Sequence, residues 1–398
     1  MTPRAAGALI AAISAMAEDW PQFRGPHGDG RSLEDFRAPL RPLWSTAIPG
    51  TGHSSPVVHG GRIFLTAFEP ETSLLGRVAG KRGRLWVLAF DLDGGRLVWR
   101  REVAAPEIEN TTGGNGPASP TPATDGSRVY AWFGSYGVAA FSMEGEPAWR
   151  VAIGPFPHHM GSGSSPVLSN GRLLLNVETD GPSHRYSIAA ADGRVIWRVR
   201  RRTRQAAYAT PVPWNGRVVV AGHESVTAYD AADGRELWTA PGLSTYVVPT
   251  PAAGNGLLYA TSSGPGGNAV LALRPDGGLA WSSTRGAAYV ASPVVEGTYL
   301  YTINRNCVMS SLDARDGRLS WQERLGTGGE CDASPVAAGG QIHAVTGSGE
   351  IWSMEAGAAF RRVAVHAVGD AVKASPAIAR GVMVVRSRTR LHAFAGRR

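Results

Sequence analysis

The chain has 398 residues, of which 43% are hydrophobic, so it is long enough to bury a large core. Its 51 glycines and 27 prolines favour many short strands joined by tight turns and argue against a bundle of long helices. The formal net charge of +8 comes mainly from arginines scattered along the chain, since only Lys81 and Lys373 are lysines. A positive charge spread in this way does not indicate a nucleic-acid partner.

The N-terminus has the pattern of a secretory signal peptide. Arg4 precedes an apolar stretch over residues 5–16, and Ala15-Met16-Ala17 resembles a small-residue cleavage site. We therefore expect a signal peptide over residues 1–17 and an extended segment over residues 18–42. No cysteine lies near the cleavage site, and no segment approaches the ~20 apolar residues that a transmembrane helix needs. The sequence predicts a periplasmic or secreted protein with neither a lipid anchor nor a transmembrane segment.

A Ser/Thr-Pro dipeptide recurs along the rest of the chain. Successive copies are mostly 40 to 46 residues apart, a period typical of propeller blades. The first interval is 64 residues, which predicts an insertion in the first repeat over residues 69–84. The dipeptides are Ser55-Pro56, Ser119-Pro120, Ser165-Pro166, Thr210-Pro211, Thr250-Pro251, Ser292-Pro293, Ser334-Pro335 and Ser375-Pro376.

Most repeats contain two glycine turns that separate apolar runs. In the fourth repeat these turns are Asn215-Gly216 and Asp233-Gly234. Asn-Gly and Asp-Gly between apolar runs indicate β-hairpins, because both residues tolerate positive φ. Two hairpins give four antiparallel strands, so each repeat predicts one propeller blade.

A tryptophan follows the second turn in most repeats. We expect these side chains to wedge between neighbouring blades, where a large aromatic ring buries roughly 150–250 Å². In the seventh repeat Phe360 stands in the tryptophan's place. The predicted docking residues are Trp44, Trp99, Trp149, Trp197, Trp238, Trp281 and Trp321.

The two ends of the chain complement each other. The eighth repeat lacks a fourth strand, whereas an unpaired strand at Leu43–Ile48 precedes the first repeat and carries Trp44. If that strand joins the last repeat, the ring closes and leaves no sheet edge open. We therefore predict an all-β, eight-bladed propeller over residues 43–398, with four-stranded antiparallel blades and an N-terminal strand that closes the ring.

The predicted topology gathers several polar loops on one face. The loops before the Ser/Thr-Pro dipeptides emerge near the axis and could form a funnel that binds a small ligand or a peptide. Asp332 and Lys373 fall in neighbouring blades, where they could instead form an ion pair at the channel mouth. The candidate funnel residues are His53, Asn115, His158, His159, Tyr208, Tyr246, Tyr289, Asp332 and Lys373.

Two further residue pairs each allow two interpretations. Cys307 and Cys331 fall in loops on the same face, where they could form a disulfide or remain two thiols. A disulfide here would be a staple and not a redox centre. His158 and His159 could ligate a metal, but adjacent residues of an extended strand point to opposite sides, so we favour a structural or surface role. No metal site is predicted.

The repeats resemble a known family. Residues 88–99 and 311–321 follow in part a Leu-x-Ala-x-Asp-x-x-Asp-Gly-x-x-x-Trp pattern, similar to the tryptophan-docking repeat of pyrroloquinoline quinone (PQQ)-like propellers. The segments over residues 19–26 and 118–126 resemble PQQ-like propeller proteins of planctomycetes and acidobacteria. This resemblance implies the propeller fold. It extends both to quinoprotein alcohol dehydrogenases and to BamB, a propeller of outer-membrane barrel assembly.

The resemblance leaves three functions to compare. Quinoprotein dehydrogenases hold PQQ and Ca²⁺ beside adjacent cysteines, whereas this chain has no Cys-Cys dipeptide and its calcium ligands cannot be mapped. We therefore favour a monomeric, non-enzymatic binding or scaffold module for a protein or a small ligand, with no cofactor required. The alternative is a PQQ/Ca²⁺-dependent oxidoreductase.

The third hypothesis is a carbohydrate or polyanion binder. It rests on the net positive charge and on four tryptophans outside the docking positions. The densest basic cluster, at residues 198–204, has no interleaved aromatic residues in the sequence, so we expect a solvated surface there. The tryptophans concerned are Trp86, Trp132, Trp214 and Trp352.

Overall fold

The computed structural model describes residues 18–72, 78–105, 115–158, 160–201, 203–326 and 328–397. The predicted signal peptide and His159 lie outside these residues. Within them, the chain forms eight four-stranded antiparallel sheets and a single short 3₁₀ turn at Gly134–Tyr136. The innermost strands of neighbouring sheets contact one another around a central axis. The predicted all-β, eight-bladed propeller is confirmed.

The first four blades follow the sequence order of the repeats. The N-terminal strand β1 spans Arg37–Ala47 and belongs to the last blade. Blades 1 and 2 contain β2 (Val57–His59), β3 (Arg62–Thr72), β4 (Val78–Asp91), β5 (Leu97–Val103), β6 (Ala123–Thr124), β7 (Arg128–Trp132), β8 (Val138–Ser142) and β9 (Pro147–Val151). Blades 3 and 4 contain β10 (Val167–Ser169), β11 (Arg172–Val177), β12 (Ser183–Ala189), β13 (Val195–Arg201), β14 (Val212–Trp214), β15 (Arg217–Gly222), β16 (Ser225–Asp230) and β17 (Glu236–Pro241).

The last four blades complete the ring. Blades 5 and 6 contain β18 (Ala252–Gly254), β19 (Leu257–Ser262), β20 (Ala269–Leu273), β21 (Leu279–Ser283), β22 (Val294–Glu296), β23 (Tyr299–Ile303), β24 (Val308–Asp313) and β25 (Leu319–Arg324). Blades 7 and 8 contain β26 (Val336–Ala338), β27 (Gln341–Val345), β28 (Glu350–Glu355), β29 (Arg362–Ala367), β30 (Ala377–Ala379), β31 (Val382–Arg386), β32 (Arg390–Arg397) and, as the outer strand of blade 8, β1.

The ring closes through the two ends of the chain, as the sequence predicts. Strand β1 pairs antiparallel with β32, and Trp44 lies opposite Ala393. The strand begins at Arg37, six residues before Leu43, and Ala38 N–H donates to Gln341 Oε1 in blade 7 at 2.8 Å. Blade 8 therefore ties residues near both ends of the chain into one sheet.

Seven of the eight blades are each docked onto the next blade by a tryptophan. Trp281 in blade 5 donates its indole N–H to the carbonyl of Ala314 in blade 6 at 2.9 Å, and the other six make the equivalent bond. The rings also pack on glycines of the neighbouring turns. At Gly317, where φ is +74°, an added Cβ would lie 2.5 Å from the Trp281 ring. Glycine supplies both the positive φ and the room for the indole.

Blade 7 differs from the sequence prediction. Ala364, opposite Ser353, occupies the register that the docking tryptophan has in the other blades, whereas Phe360 precedes the strand. Phe360 packs edge-on against Trp321 of blade 6, with ring centroids 5.3 Å apart. In blade 8 no turn joins β32 to its neighbour β1, because that strand comes from the other end of the chain. A tryptophan in blade 7 would thus lack the turn that the other blades offer.

Residues 18–36 form a segment across the inner strands, which we call the plug. Trp20 exchanges backbone hydrogen bonds with Val58 in blade 1, and Pro21 O accepts from Thr124 N–H in blade 2. On the other side of the ring, Ser32 N–H donates to Ala337 O in blade 7. These contacts lie farther along the inner strands than the Ser/Thr-Pro dipeptides. The plug therefore closes the axis from the side opposite the predicted funnel.

Candidate functional site

The inner strands begin at a closed ring of hydroxyl groups, which we call the hydroxyl ring. In each blade a serine or threonine hydroxyl oxygen accepts the backbone N–H of the equivalent residue in the preceding blade, at 2.9–3.0 Å. The last bond runs from Ser375 N–H to Ser55 Oγ and completes the circle. The members are Ser55, Thr121, Ser165, Thr210, Thr250, Ser292, Ser334 and Ser375.

The ring corrects the repeat register in blade 2. The sequence prediction placed Ser119-Pro120 there, but the structure uses Thr121, two residues later. The segment reads Ser-Pro-Thr-Pro, so spacing alone did not distinguish the two dipeptides. Ser119 instead turns its hydroxyl toward Asn115 and the Gly116 carbonyl, and it lines the cavity wall.

The hydroxyl ring surrounds the bottom of an axial cavity of about 570 Å³. Seven of the nine predicted funnel residues line it: His53, Asn115, Tyr208, Tyr246, Tyr289, Asp332 and Lys373. His158 lies behind this wall, with its ring 5.3 Å from that of Tyr208, and His159 lies outside the described residues. Phe23 of the plug also lines the cavity, so the plug contributes to its floor.

One side of the cavity is aromatic. Tyr208, Tyr246 and Tyr289 come from the loops that enter blades 4, 5 and 6. Burial raises the pKa of the Tyr208 phenol above its ordinary value, so that side chain stays neutral at physiological pH. The guanidinium of Arg305 lies over the Tyr289 ring at 5.3 Å. These rings offer flat apolar surfaces to a ligand at the axis.

The adjoining part of the cavity wall is charged but balanced. Lys373 Nζ lies 3.4 Å from Asp332 Oδ2, and Arg305 lies 2.6 Å from Glu330 Oε1. The hydrogen bond from Arg305 lowers the pKa of Glu330, which keeps this carboxylate ionised. Each cation is therefore paired with a carboxylate, and together the two pairs add no net charge.

A disulfide holds the charged side in place. Cys307 and Cys331 are bonded, with their Cα atoms 5.1 Å apart. Cys331 N–H also donates to the Arg305 carbonyl at 3.1 Å. The bridge thus joins the hairpin that carries Arg305 to the loop that carries Glu330 and Asp332. It is buried and acts as a structural staple between blades 6 and 7.

Two buried arginines near the ring were not predicted. Arg24 of the plug donates to the carbonyls of Pro335, Asp29 and Pro293, and burial lowers its pKa to about 10. Arg386 in blade 8 donates to Ser54 and Thr66, and burial lowers its pKa to about 9. Both remain cations at neutral pH. The Asp29 carboxylate acts electrostatically on Arg24, whereas Arg386 has no carboxylate partner in the described part of the chain.

A sequence signal for Arg386 did exist. The residue ends the apolar run at Val382–Arg386, where binary patterning expects an inward apolar or small side chain. Arg24 gave a weaker signal, because it lies in a segment that we noted for family resemblance alone. Its buried position depends on contacts with Pro293 and Pro335, which are distant in sequence.

The cavity does not supply the ligands of a calcium–quinone site. No group of three or more His, Cys, Asp or Glu side chains suited to a metal occurs among the described residues. Ca²⁺ prefers six to eight oxygen ligands, but Asp332 and Glu330 are engaged with cations. The two cysteines are 24 positions apart and bonded between blades. The side chains present thus do not fit the PQQ/Ca²⁺ group that the resemblance implies.

The four tryptophans on which the carbohydrate hypothesis rests are not exposed on the surface. Trp86, Trp132 and Trp214 are buried, and Trp352 lies half-buried beneath Arg362. These four rings therefore do not form an open stacking platform.

Arg198, Arg200 and Arg204 of the basic cluster in blade 3 are exposed, as predicted. Cross-strand pairing sets Tyr186 opposite Arg198 and His184 opposite Arg200. Aromatic side chains thus do interleave with this cluster, although they are distant from it in the linear sequence. Burial and the neighbouring arginines lower the pKa of His184, which keeps the patch from gaining further charge near neutral pH.

These features define a class of protein: a closed eight-bladed propeller with one axial cavity that opens on the loop face. The sequence matches the family described as outer membrane protein assembly factor BamB over residues 39–142, 137–356 and 222–397. These matches cover most of the chain, which therefore belongs to this family. No curated protein matches the sequence.

Solved structures share the fold at low sequence identity. BamB from Moraxella catarrhalis has a TM-score of 0.65 at 13% identity, covering 90% of this chain and 98% of that one. Quinohemoprotein alcohol dehydrogenase from Comamonas testosteroni has a TM-score of 0.67 at 12% identity, covering 96% and 81%. The computationally designed Ika8 protein has a TM-score of 0.65 at 11% identity, covering 89% and 99%. These likenesses show the fold alone.

None of the helical structure described for this chain has the length and apolar character needed to cross a bilayer.

Proposed function

We propose that the protein is a non-enzymatic binding module that takes a small molecule into its axial cavity. The observation that carries this proposal is the closed floor: the plug and the hydroxyl ring turn the axis of the propeller into a cup of about 570 Å³. Cavities of roughly 300–1,000 Å³ with aromatic walls and a few polar groups are typical of small-molecule sites.

The chemistry of the walls favours binding over catalysis. The carboxylates beside the cavity are paired with cations, so neither is poised as a general base. The donor set does not suit a calcium–quinone group, and the proposal requires no cofactor. A quinoprotein oxidoreductase is the alternative within the wider resemblance, and bound quinone with calcium-dependent turnover would support it.

A scaffold role for another protein is the second candidate. It is favoured by membership of a family described as outer membrane protein assembly factor BamB. The two functions use different surfaces in this account, because a peptide would have to enter a cup that the plug closes on one side. A partner bound on an outer face of the blades would leave the axial cavity available for a ligand.

We also propose that the protein is exported from the cytoplasm. A disulfide forms and persists in oxidising compartments, and Cys307–Cys331 joins two separate blades. This bond agrees with the signal peptide expected over residues 1–17. We therefore propose a periplasmic or secreted location, with the protein acting as a monomer.

The test is a binding screen with a matched pair of tyrosine variants. Purified protein is titrated calorimetrically with a panel of small neutral, cationic and anionic aromatic compounds. Tyr246→Ala removes one aromatic side chain from the cavity, whereas Tyr186→Ala removes a half-buried tyrosine from the outer part of blade 3. The proposal predicts that Tyr246→Ala weakens the best binder about tenfold and that Tyr186→Ala leaves its affinity unchanged.

Two outcomes would contradict the proposal. One is that no member of any charge class binds. The other is that binding survives Tyr246→Ala and is lost in Tyr186→Ala, which would move the site to the outer surface of blade 3.

A further inference from the structure

We infer that the hydroxyl ring is an oxyanion site, and that the axial cavity takes a small organic anion whose carboxylate or phosphate group rests on the ring. This inference rests on the proposed function and names the chemical class of the ligand.

The ring presents unused hydrogen-bond donors. Every ring hydroxyl accepts one backbone N–H from the preceding blade, and none has a protein acceptor for its own proton among the described residues. All eight residues are more than nine-tenths buried, yet all line the axial cavity. Their O–H groups can therefore turn toward a ligand at the axis.

A hydroxyl can donate to an anion or accept from a cation, so the surrounding charge decides between them. The wall pairs Lys373–Asp332 and Arg305–Glu330 cancel. Two further buried cations lie beside the ring, and the Asp29 carboxylate acts electrostatically on the first of them, Arg24. Arg24 donates to the carbonyls of Pro293 and Pro335, which directly follow the ring residues in blades 6 and 7.

Arg386 is the second cation; it lies in blade 8, and no carboxylate of the described residues pairs with it. It donates to Ser54, which directly precedes ring residue Ser55, while its Nε and one terminal nitrogen have no hydrogen-bond partner. A buried guanidinium without a counter-ion is costly, and a nearby anion lowers that cost. The local field therefore orients the ring hydroxyls to donate, which favours an anion over a cation.

The aromatic lining of the cavity indicates the chemistry of the part of the ligand beyond its anionic group. Tyr208, Tyr246 and Tyr289 stand above the ring on one side, and Phe23 contributes to the floor. An oxyanion on the ring would leave the body of the ligand between these rings. The ligand class is therefore a small organic acid with a flat or apolar body.

The experiment compares three probes that differ mainly in charge: benzoate, benzyl alcohol and benzylammonium. Each is titrated into the intact protein by calorimetry at constant ionic strength. Because hydrogen bonds to a charged group are stronger than those between neutral groups, benzoate should bind at least about tenfold more tightly than the other two.

Variants at one ring position give the matched control. Thr250→Val keeps the shape but removes the hydroxyl, and Thr250→Ser keeps the hydroxyl. We expect Thr250→Val to weaken benzoate about tenfold without changing benzyl alcohol, and Thr250→Ser to preserve both affinities. If Thr250→Val does not fold, Arg386→Met removes the positive charge beside the ring. This change should weaken the binding of benzoate and leave that of benzyl alcohol unchanged.

Failure of this inference can be told from failure of the proposed function. Equal or tighter binding of benzylammonium or benzyl alcohol, lost in Tyr246→Ala, would overturn the anion assignment and leave the cavity as a binding site. Loss of benzoate selectivity in Thr250→Ser as well as in Thr250→Val would also overturn it, because the hydroxyl would then not be the determinant.

Discussion

Glu178 is a fully buried carboxylate between two arginines of its own blade. Its Oε1 accepts from Arg185 at 2.6 Å and lies 2.9 Å from Arg201 Nε. Arg201 also donates to Ser225 and Thr227 in blade 4, so the cluster links two blades. Removing one member of a buried ion pair leaves an uncompensated charge behind.

We therefore predict that Glu178→Gln lowers the free energy of unfolding by about 3 kcal/mol, measured by urea denaturation. The control is Glu146→Gln, because the ion pair of Glu146 with Arg101 is 3.5 Å long and exposed. That change should cost less than about 0.5 kcal/mol. Equal effects of the two variants would show that the buried cluster does not stabilise the fold.

His343 predicts a pH dependence of stability. The ring is fully buried, its Nδ1 lies 2.8 Å from Ser353 Oγ, and burial lowers its pKa to about 4. In the unfolded chain the same group takes up a proton near pH 6.5. Between pH 6.5 and 4 the unfolded state therefore binds more protons, and stability falls as the pH falls through this window.

His343→Gln should remove that part of the pH dependence, because glutamine does not titrate. Relative to its value at pH 7.5, the wild type should lose about 2–3 kcal/mol more than the variant at pH 4.5. Urea denaturation at the two pH values measures the difference. Parallel pH profiles for the two proteins would contradict this account of His343.

At the scale of the strand and turn, the tryptophan–glycine contact is the repeated unit of blade packing. Gly317 and Gly216 both have φ of +74°, but only Gly317 lies against a tryptophan, and a Cβ at Gly216 meets nothing within 4 Å. The two positions therefore separate backbone strain from blade docking.

Alanine at Gly216 should cost about 1 kcal/mol from its positive φ alone. Alanine at Gly317 should cost about 2 kcal/mol more, because the Trp281 ring must move away from the turn. Thermal and urea unfolding of the two variants measure the difference. If both changes cost the same, the indole contact is not what requires glycine at this turn.

The disulfide is a local staple between blades 6 and 7. Cys307 and Cys331 close a loop of moderate length between blades 6 and 7. The double variant Cys307→Ser with Cys331→Ser should lose roughly 3 kcal/mol of unfolding free energy in urea. A reducing agent should destabilise the wild type similarly and leave the double variant unchanged. No effect of reduction on the wild type would contradict the stapling role.

Some features of the strands and turns could be predicted from the sequence, and others could not. The docking tryptophans and the glycine turns were predictable because both lie within one repeat and recur at a fixed spacing. Thr121 was missed because two Ser/Thr-Pro dipeptides stand side by side in blade 2, and only the bonds to Ser55 and Ser165 select one of them. The sequence did not reveal that Ala364 occupies the docking position in blade 7. That difference depends on blade 8, where no turn joins β32 to β1.

At the scale of the whole molecule, ring closure creates the site. Eight inner strands place one hydroxyl each around the axis, and β1 completes the circle by joining blade 8. The loops before the inner strands could be assigned to one face from topology alone, so seven of the nine funnel residues were found in the cavity wall. The floor could not be derived, because the plug reaches blades 1, 2 and 7 through contacts distant in sequence.

A crystal structure of the protein with a bound ligand would show whether the axial cavity is the ligand site. Crystals of the protein with the tightest compound of the calorimetric panel should show that compound between Tyr208, Tyr246 and Tyr289, with any oxyanion on the hydroxyl ring. Density for the compound on the outer surface of a blade, with the axial cavity holding only water at saturating ligand, would contradict the account.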